Sequence, residues 1–300
     1  MQGTGRKQRL ISPSQAQEAS TEAMVKLANH CPLLTDALSR RQPAKILVSA
    51  AVFGMALHSF ASAQTVDRAS LPAAPVPQIP APTLRNTPAH LLNDQKAIWT
   101  SPARLRTHDL RWLVPLAAAT GAGIATDHRA STSVVSRDPG FDQANVNASN
   151  VLIGGFLAAP VALYGFGHLR NDAHAHETAI LSGEALLDGV VVEQGVKLLT
   201  FRERPALDNG RGLFYQSSAG VSSSFPSSHA VLAWSEAAVL AGEYRSRWSR
   251  LAVYSLATGV SLTRVLGQEH FPSDVLVGSA AGWLVGHFVY RTHHESELQP

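Results

Sequence analysis

Cysteine is nearly absent from this chain of 300 residues: Cys31 stands alone, so no internal disulfide can form and nothing in the fold depends on a redox compartment. Aromatic residues make up 7% and charged residues 16%. That leaves none of the lysine-rich or aromatic-interleaved stretches that nucleic-acid binding needs, and a net charge of +3 does not change the exclusion. Sustained apolar/polar alternation, the mark of half-buried strands, is missing, as is any repeat with a period of roughly 20–50 residues. What remains is apolar: 45% of the residues are hydrophobic, rich in alanine and concentrated in segments of helical period.

Six such segments, 110–126, 151–168, 177–200, 229–244, 249–266 and 272–290, predict an all-α fold, a six-helix bundle with an unstructured N-terminal extension. Before them, prolines at 72, 75, 77, 80, 82 and 88 among alanines read as an extended linker. Further back, Arg40-Arg41 and Lys45 flank the apolar stretch 46–57, and Ala61-Ser62-Ala63 follows. This is the pattern of a secretory signal cleaved after Ala63, its apolar core too short to span a bilayer. The expected plan is therefore 1–63 extension and signal, 64–107 linker, 108–292 helical domain and 293–300 tail.

Three short clusters sit where the helical pattern breaks. Lys197 is followed by Arg204-Pro205; then comes Pro226-Ser227-Ser228-His229; then Arg264 leads to His270 and Asp274. If consecutive helices run antiparallel, all three fall at one end of the bundle. The inventory suits a phosphoester. Negative charge grows on the equatorial oxygens during attack, and fixed cations at Lys197, Arg204 and Arg264 answer it. Ser227 and Ser228 open a helix whose free N–H groups favour an anion. Pro272 suits a first helical position, which puts Asp274 in the first turn, able to accept the Nδ1–H of His270 and leave Nε2 as the nucleophile. His229 is then the general acid for the leaving alkoxide and the base for water. With three cations present no metal is needed, so the expected cofactor set is empty. Taken singly, each cluster also has an ordinary structural reading: a helix stop at Arg-Pro, an i,i+4 pair of Glu193 and Lys197, a plain helix cap at Ser227.

Together the clusters resemble the three-part signature of the type 2 phosphatidic acid phosphatase and vanadium haloperoxidase superfamily. The spacings match in full. Two positions depart: Ser228 stands where that family has glycine, and Thr263 where it has serine. The resemblance implies hydrolysis of phosphomonoester or pyrophosphate groups, of lipids in particular, through a phosphohistidine at His270. It also leaves open a haloperoxidase that holds vanadate on the same ligands, and a third reading is a catalytically silent membrane or scaffold protein. The implied partners are a phosphorylated lipid or other phosphoester and a membrane.

Segment 151–168, uncharged, is the better membrane-span candidate, with 272–290 behind it. Arginines at 104, 106, 111, 245, 247, 250 and 291 lie at the end away from the clusters, and the positive-inside rule turns the active face outward. The expected location is the cell envelope, exported, membrane-associated or periplasmic. The loops 127–149 and 206–225 are expected beside the active face as connectors, a lid or a lipid entrance. His168, His174 and His176 are not read as metal ligands, because no cysteine or carboxylate cluster accompanies them in the sequence, and His293 and His294 are expected in a solvated tail.

Overall fold

The computed structural model describes residues 82–207, 210–216 and 222–294; the expected signal segment and most of the proline-rich stretch lie outside the described residues. Among the described residues there are seven α-helices and no strand: α1 Thr87–Thr100, α2 Leu110–Arg129, α3 Pro139–Arg170, α4 Ala173–Thr200, α5 Ser228–Glu243, α6 Arg247–Leu266 and α7 Pro272–His293. The all-α class and the six expected segments are present, and two helices differ from expectation in ways their residues explain.

Helix α1 lies inside the stretch read as linker. Pro88 was counted with the spacer prolines, yet it falls at the first helical turn, where a missing N–H costs nothing. The helix is then fixed by partners distant in sequence, Gln95 donating to Asp188 at 2.7 Å and His90 meeting Glu184 at 3.0 Å, both on α4. Helix α3 starts a dozen residues before the expected 151 because Asp138 caps it, accepting from the Phe141 N–H at 2.8 Å, with Pro139 at its first turn. The expected loop 127–149 is therefore largely the end of α2, a π turn at Ala130–Val134 and the opening of α3.

Helices α5 and α7 approach most closely. Gly278, Gly282 and Gly286 form a stripe on α7 with no side chain between it and the α5 backbone. A Cβ at Gly286 would fall 1.9 Å from the Ser235 carbonyl oxygen and one at Gly282 2.2 Å from that of Val231. Apolar packing continues the contact: Leu181 and Ala185 of α4 meet Val239 of α5 and Val289 of α7. Both α5 and α7 begin at the phosphate-type clusters, so their contact sets the distance between those clusters.

Helix α3 presents a largely exposed surface. It is the one helix among the described residues long and apolar enough to cross a membrane, with mean hydropathy 1.6 and 17% of that window buried. Val151, Val161 and Leu169 are 76%, 75% and 81% exposed, an apolar flank without cover among the described residues.

Candidate active site

The end of α4, the start of α5, the end of α6 and the start of α7 meet at one place, and each contributes a charged or imidazole side chain. Lys197 lies in the last turn of α4, where its Nζ donates to Ser228 Oγ at 2.6 Å and pairs with Glu193 at 3.3 Å. Burial holds its ammonium below the usual lysine range. Ser228, the departure from the family glycine, is thereby accounted for: its hydroxyl joins the lysine on one side and Glu193, at 3.1 Å, on the other.

Arg204 and Arg264 come from different segments and share one partner, Glu269. Arg264 reaches its Oε2 at 3.0 Å, and Arg204 also hydrogen-bonds to that oxygen. Two guanidinium groups converging on a single anionic oxygen is the geometry a phosphate oxygen would use. Glu269 was not singled out in the sequence; a carboxylate one residue before the candidate nucleophile was the available signal.

Ser227 ends the preceding segment and heads α5. Its N–H is spent on the Asp274 carbonyl at 3.1 Å, so it does not contribute a backbone donor to an anion as expected. Its Oγ is buried without a hydrogen-bond partner. The first turn of α5 carries no side-chain cap, which leaves the N–H groups beyond Ser227 as the donors that favour an anion.

His270 is 2% exposed and corrects the expected pairing. Its Nδ1 lies 2.8 Å from the Ser224 carbonyl oxygen, while Asp274 Oδ2 is 3.8 Å away, beyond hydrogen-bond range. The reason is that Asp274 is already engaged. It accepts from Ser224 Oγ at 2.5 Å and from the Phe271 N–H at 2.8 Å, and its other oxygen takes Arg202 at 2.5 Å. Asp274 thus positions the segment that holds His270, and the Ser224 carbonyl fixes the tautomer, leaving Nε2 available.

Arg202 was missed. It is 1% exposed, donates to Asp127 at 2.7 Å and to Asp274, and lies between the rings of Phe214 and Phe271, 4.7 and 4.3 Å from their centroids. Its Nε donates to the Gly212 carbonyl at 3.2 Å, and Gly212 is needed there: a Cβ would meet Phe271 at 2.4 Å, and its φ of +62 favours glycine. The described part of 206–225 is therefore tied down against the cluster, with Leu213 accepting from the Glu203 N–H at 3.0 Å.

The electrostatics follow from burial amid cations. His270 is held well below the usual imidazole value by burial and then by Arg204, Arg264 and Lys197. His229, bonded through Nε2 to Asn150 at 3.3 Å, is pushed down to about 3 by burial and then by Arg264, His270, Arg204 and Lys197. Both imidazoles are neutral near pH 7. Asp274 is pushed up to about 6 by burial, against the pull of Arg202.

The structure thus gathers Lys197, Arg204, Ser228, His229, Arg264, His270 and Asp274 at one end of the bundle. Comparison with known proteins agrees with the sequence signature. Over 69 residues the chain is 39% identical to a lipid A 1-phosphatase of Porphyromonas gingivalis, a match covering 22% of this chain and only 16% of that relative. A transmembrane PAP2 type phosphatidylglycerolphosphate phosphatase from Bacillus subtilis superposes with a TM-score of 0.40 at 19% identity, over 69% of this chain and 95% of that one. The family model of the PAP2 superfamily matches residues 178–297, the span of α4 to α7 that carries all three clusters.

Proposed function

We propose that the chain is a phosphatase that removes phosphomonoester or pyrophosphate groups from lipids, using His270 as nucleophile. The observation that carries this reading is the neutral His270, anchored at Nδ1 by the Ser224 carbonyl at 2.8 Å, in the field of Arg204, Arg264 and Lys197. In the first step Nε2 attacks phosphorus, the P–O bond to the lipid breaks and protonated His229 gives its proton to the leaving oxygen. In the second, His229 takes a proton from water, whose oxygen displaces the histidine and releases inorganic phosphate. Resting His229 is neutral; the bound phosphate's negative charge, set among the same three cations, offsets their effect and lets the imidazole take up a proton. Those cations answer the charge that develops on the phosphoryl oxygens, so the reading requires no metal at this site.

Two features favour a lipid substrate: the uncovered apolar flank of α3 and the short match to a lipid A 1-phosphatase. The same features favour a membrane-associated location in the envelope. The test is phosphate release from phosphatidic acid, a lipid A-type phosphate and a polyprenyl pyrophosphate, with a soluble aryl phosphate alongside. Loss of the nucleophile in His270→Ala should lower turnover by roughly four orders of magnitude or more; turnover near that of the parent would overturn the proposal.

A further inference from the structure

We propose that His174, Glu177, Glu243 and His294 form a binding site for a divalent transition-metal ion of the zinc type, at the end of the bundle away from the phosphate cradle. The four come from three elements. His174 and Glu177 occupy the first two turns of α4, Glu243 closes α5, and His294 follows α7. Each of these helices has its other end at the cradle, so helix length alone keeps the two sites apart, with Glu177 and Lys197 about 30 Å apart along α4.

The donor atoms already converge. His174 Nε2 lies 2.9 Å from one oxygen of Glu243 and His294 Nδ1 lies 2.9 Å from the other, with Glu177 Oε1 3.1 Å from the same Nδ1. Ligand atoms of Glu177, Glu243 and His294 all fall within 4.8 Å of one another. A tetrahedral ion with arms of about 2.0–2.1 Å holds its ligands roughly 3.3 Å apart, close to the three contact distances just given. Two imidazoles and two carboxylates make a donor set suited to zinc and its neighbours.

A second observation points to a ligand. The Glu243 side chain is fully buried, yet neither of its oxygens has a hydrogen-bond partner, despite the imidazole nitrogens at contact distance. An aligned ion pair would have satisfied them. Glu243 also lines a cavity of about 250 Å³ with His174, Arg245, Tyr290 and His294, which gives an ion a way in and a water a place to complete the shell. The charge balance agrees. Two buried carboxylates, Glu177 and Glu243, stand together here, and a fixed cation nearby is Arg245, an exposed side chain that donates to the Tyr290 hydroxyl at 3.3 Å. Around the group stand the imidazoles of His174 and His294, the ring of Tyr244 against His174, and that of Tyr290 against His294. A doubly charged ion neutralises both carboxylates at once.

The neighbouring cluster of His90, Glu184 and His293 does not make the same case. Its two imidazoles are stacked at 4.1 Å with planes 9° apart, and parallel rings cannot both aim lone pairs at one ion. Each also holds a well-formed bond to a carboxylate, at 3.0 and 2.8 Å.

The test uses the full chain, stripped with a chelator and titrated with Co2+ and then Zn2+. The expected result is about one Co2+ per chain with the visible absorption of a low-coordinate site, displaced by Zn2+, and a rise in thermal midpoint with Zn2+. Glu243→Gln and His294→Gln should each weaken binding by at least about tenfold. His90→Gln and His270→Ala should bind as the parent does, which separates this site from the stacked cluster and from the phosphatase chemistry. Absence of saturable binding in the parent protein would overturn the proposal whatever the variants do, and so would loss of the site in His90→Gln.

Discussion

Arg202 bears on everything around it because two buried carboxylates, Asp127 and Asp274, depend on one guanidinium. Arg202→Ala leaves both uncompensated, a loss expected to cost about 3–5 kcal/mol and to show as a lowered denaturant midpoint. Glu269 acts in the other direction. It occupies the two arginines a phosphate would use, so Glu269→Gln should tighten inhibition by orthovanadate or inorganic phosphate by roughly tenfold, read as a lower inhibition constant. For the proposed activity, the acid limb is expected to follow Asp274. Its carboxyl is pushed up to about 6, so it is ionised and paired with Arg202 above that pH and loses the pairing as pH falls through it. kcat/KM should therefore drop on acidification through about pH 6, and Asp274→Asn should be less active with a flattened limb; an unchanged limb in that variant would assign the titration elsewhere. At this scale the sequence was informative about groups whose spacing is fixed by chemistry, namely Lys197, Arg204, His229, Arg264, His270 and Asp274. It was silent on Ser224, whose contribution is a backbone carbonyl, and on Arg202, which only packing between Phe214 and Phe271 distinguishes from Arg204.

Among the helices, the α5–α7 contact has the least tolerance. Gly286→Ala would drive a methyl to 1.9 Å from the Ser235 carbonyl oxygen, so the helices must part. Overpacking of this kind is expected to cost about 1–3 kcal/mol and to lower phosphate release along with the thermal midpoint. Gly121→Ala on α2 is the control: a Cβ there meets nothing within 4 Å, and replacing a helical glycine should be neutral or stabilising by up to about 1 kcal/mol. Helix interiors were legible from their period, since 229–244 and 249–266 fall almost on Ser228–Glu243 and Arg247–Leu266. Two starts built on proline, unlike that at Pro272, were less so. Pro88 and Pro139 both open helices, but surrounding prolines in one case and polar residues in the other masked the signal. His293 and His294, expected in a solvated tail, are packed instead against Asp94 and Glu243, partners supplied by helices about 200 and 50 residues earlier in the chain.

The helical bundle is asymmetric. Cations and imidazoles gather at one end of the bundle, carboxylates and imidazoles at the other, and an uncovered apolar flank runs along α3. That flank predicts retention in the membrane fraction after a high-salt wash, with release by detergent; release by salt alone would argue for a peripheral, charge-held protein. Because α5 and α7 touch backbone to backbone, and Ser227 at the head of one is bonded to Asp274 in the first turn of the other, His229 and His270 ride on a single stiff slab. Under the proposed function, a bulky headgroup would be accommodated away from these two imidazoles, which keep their separation.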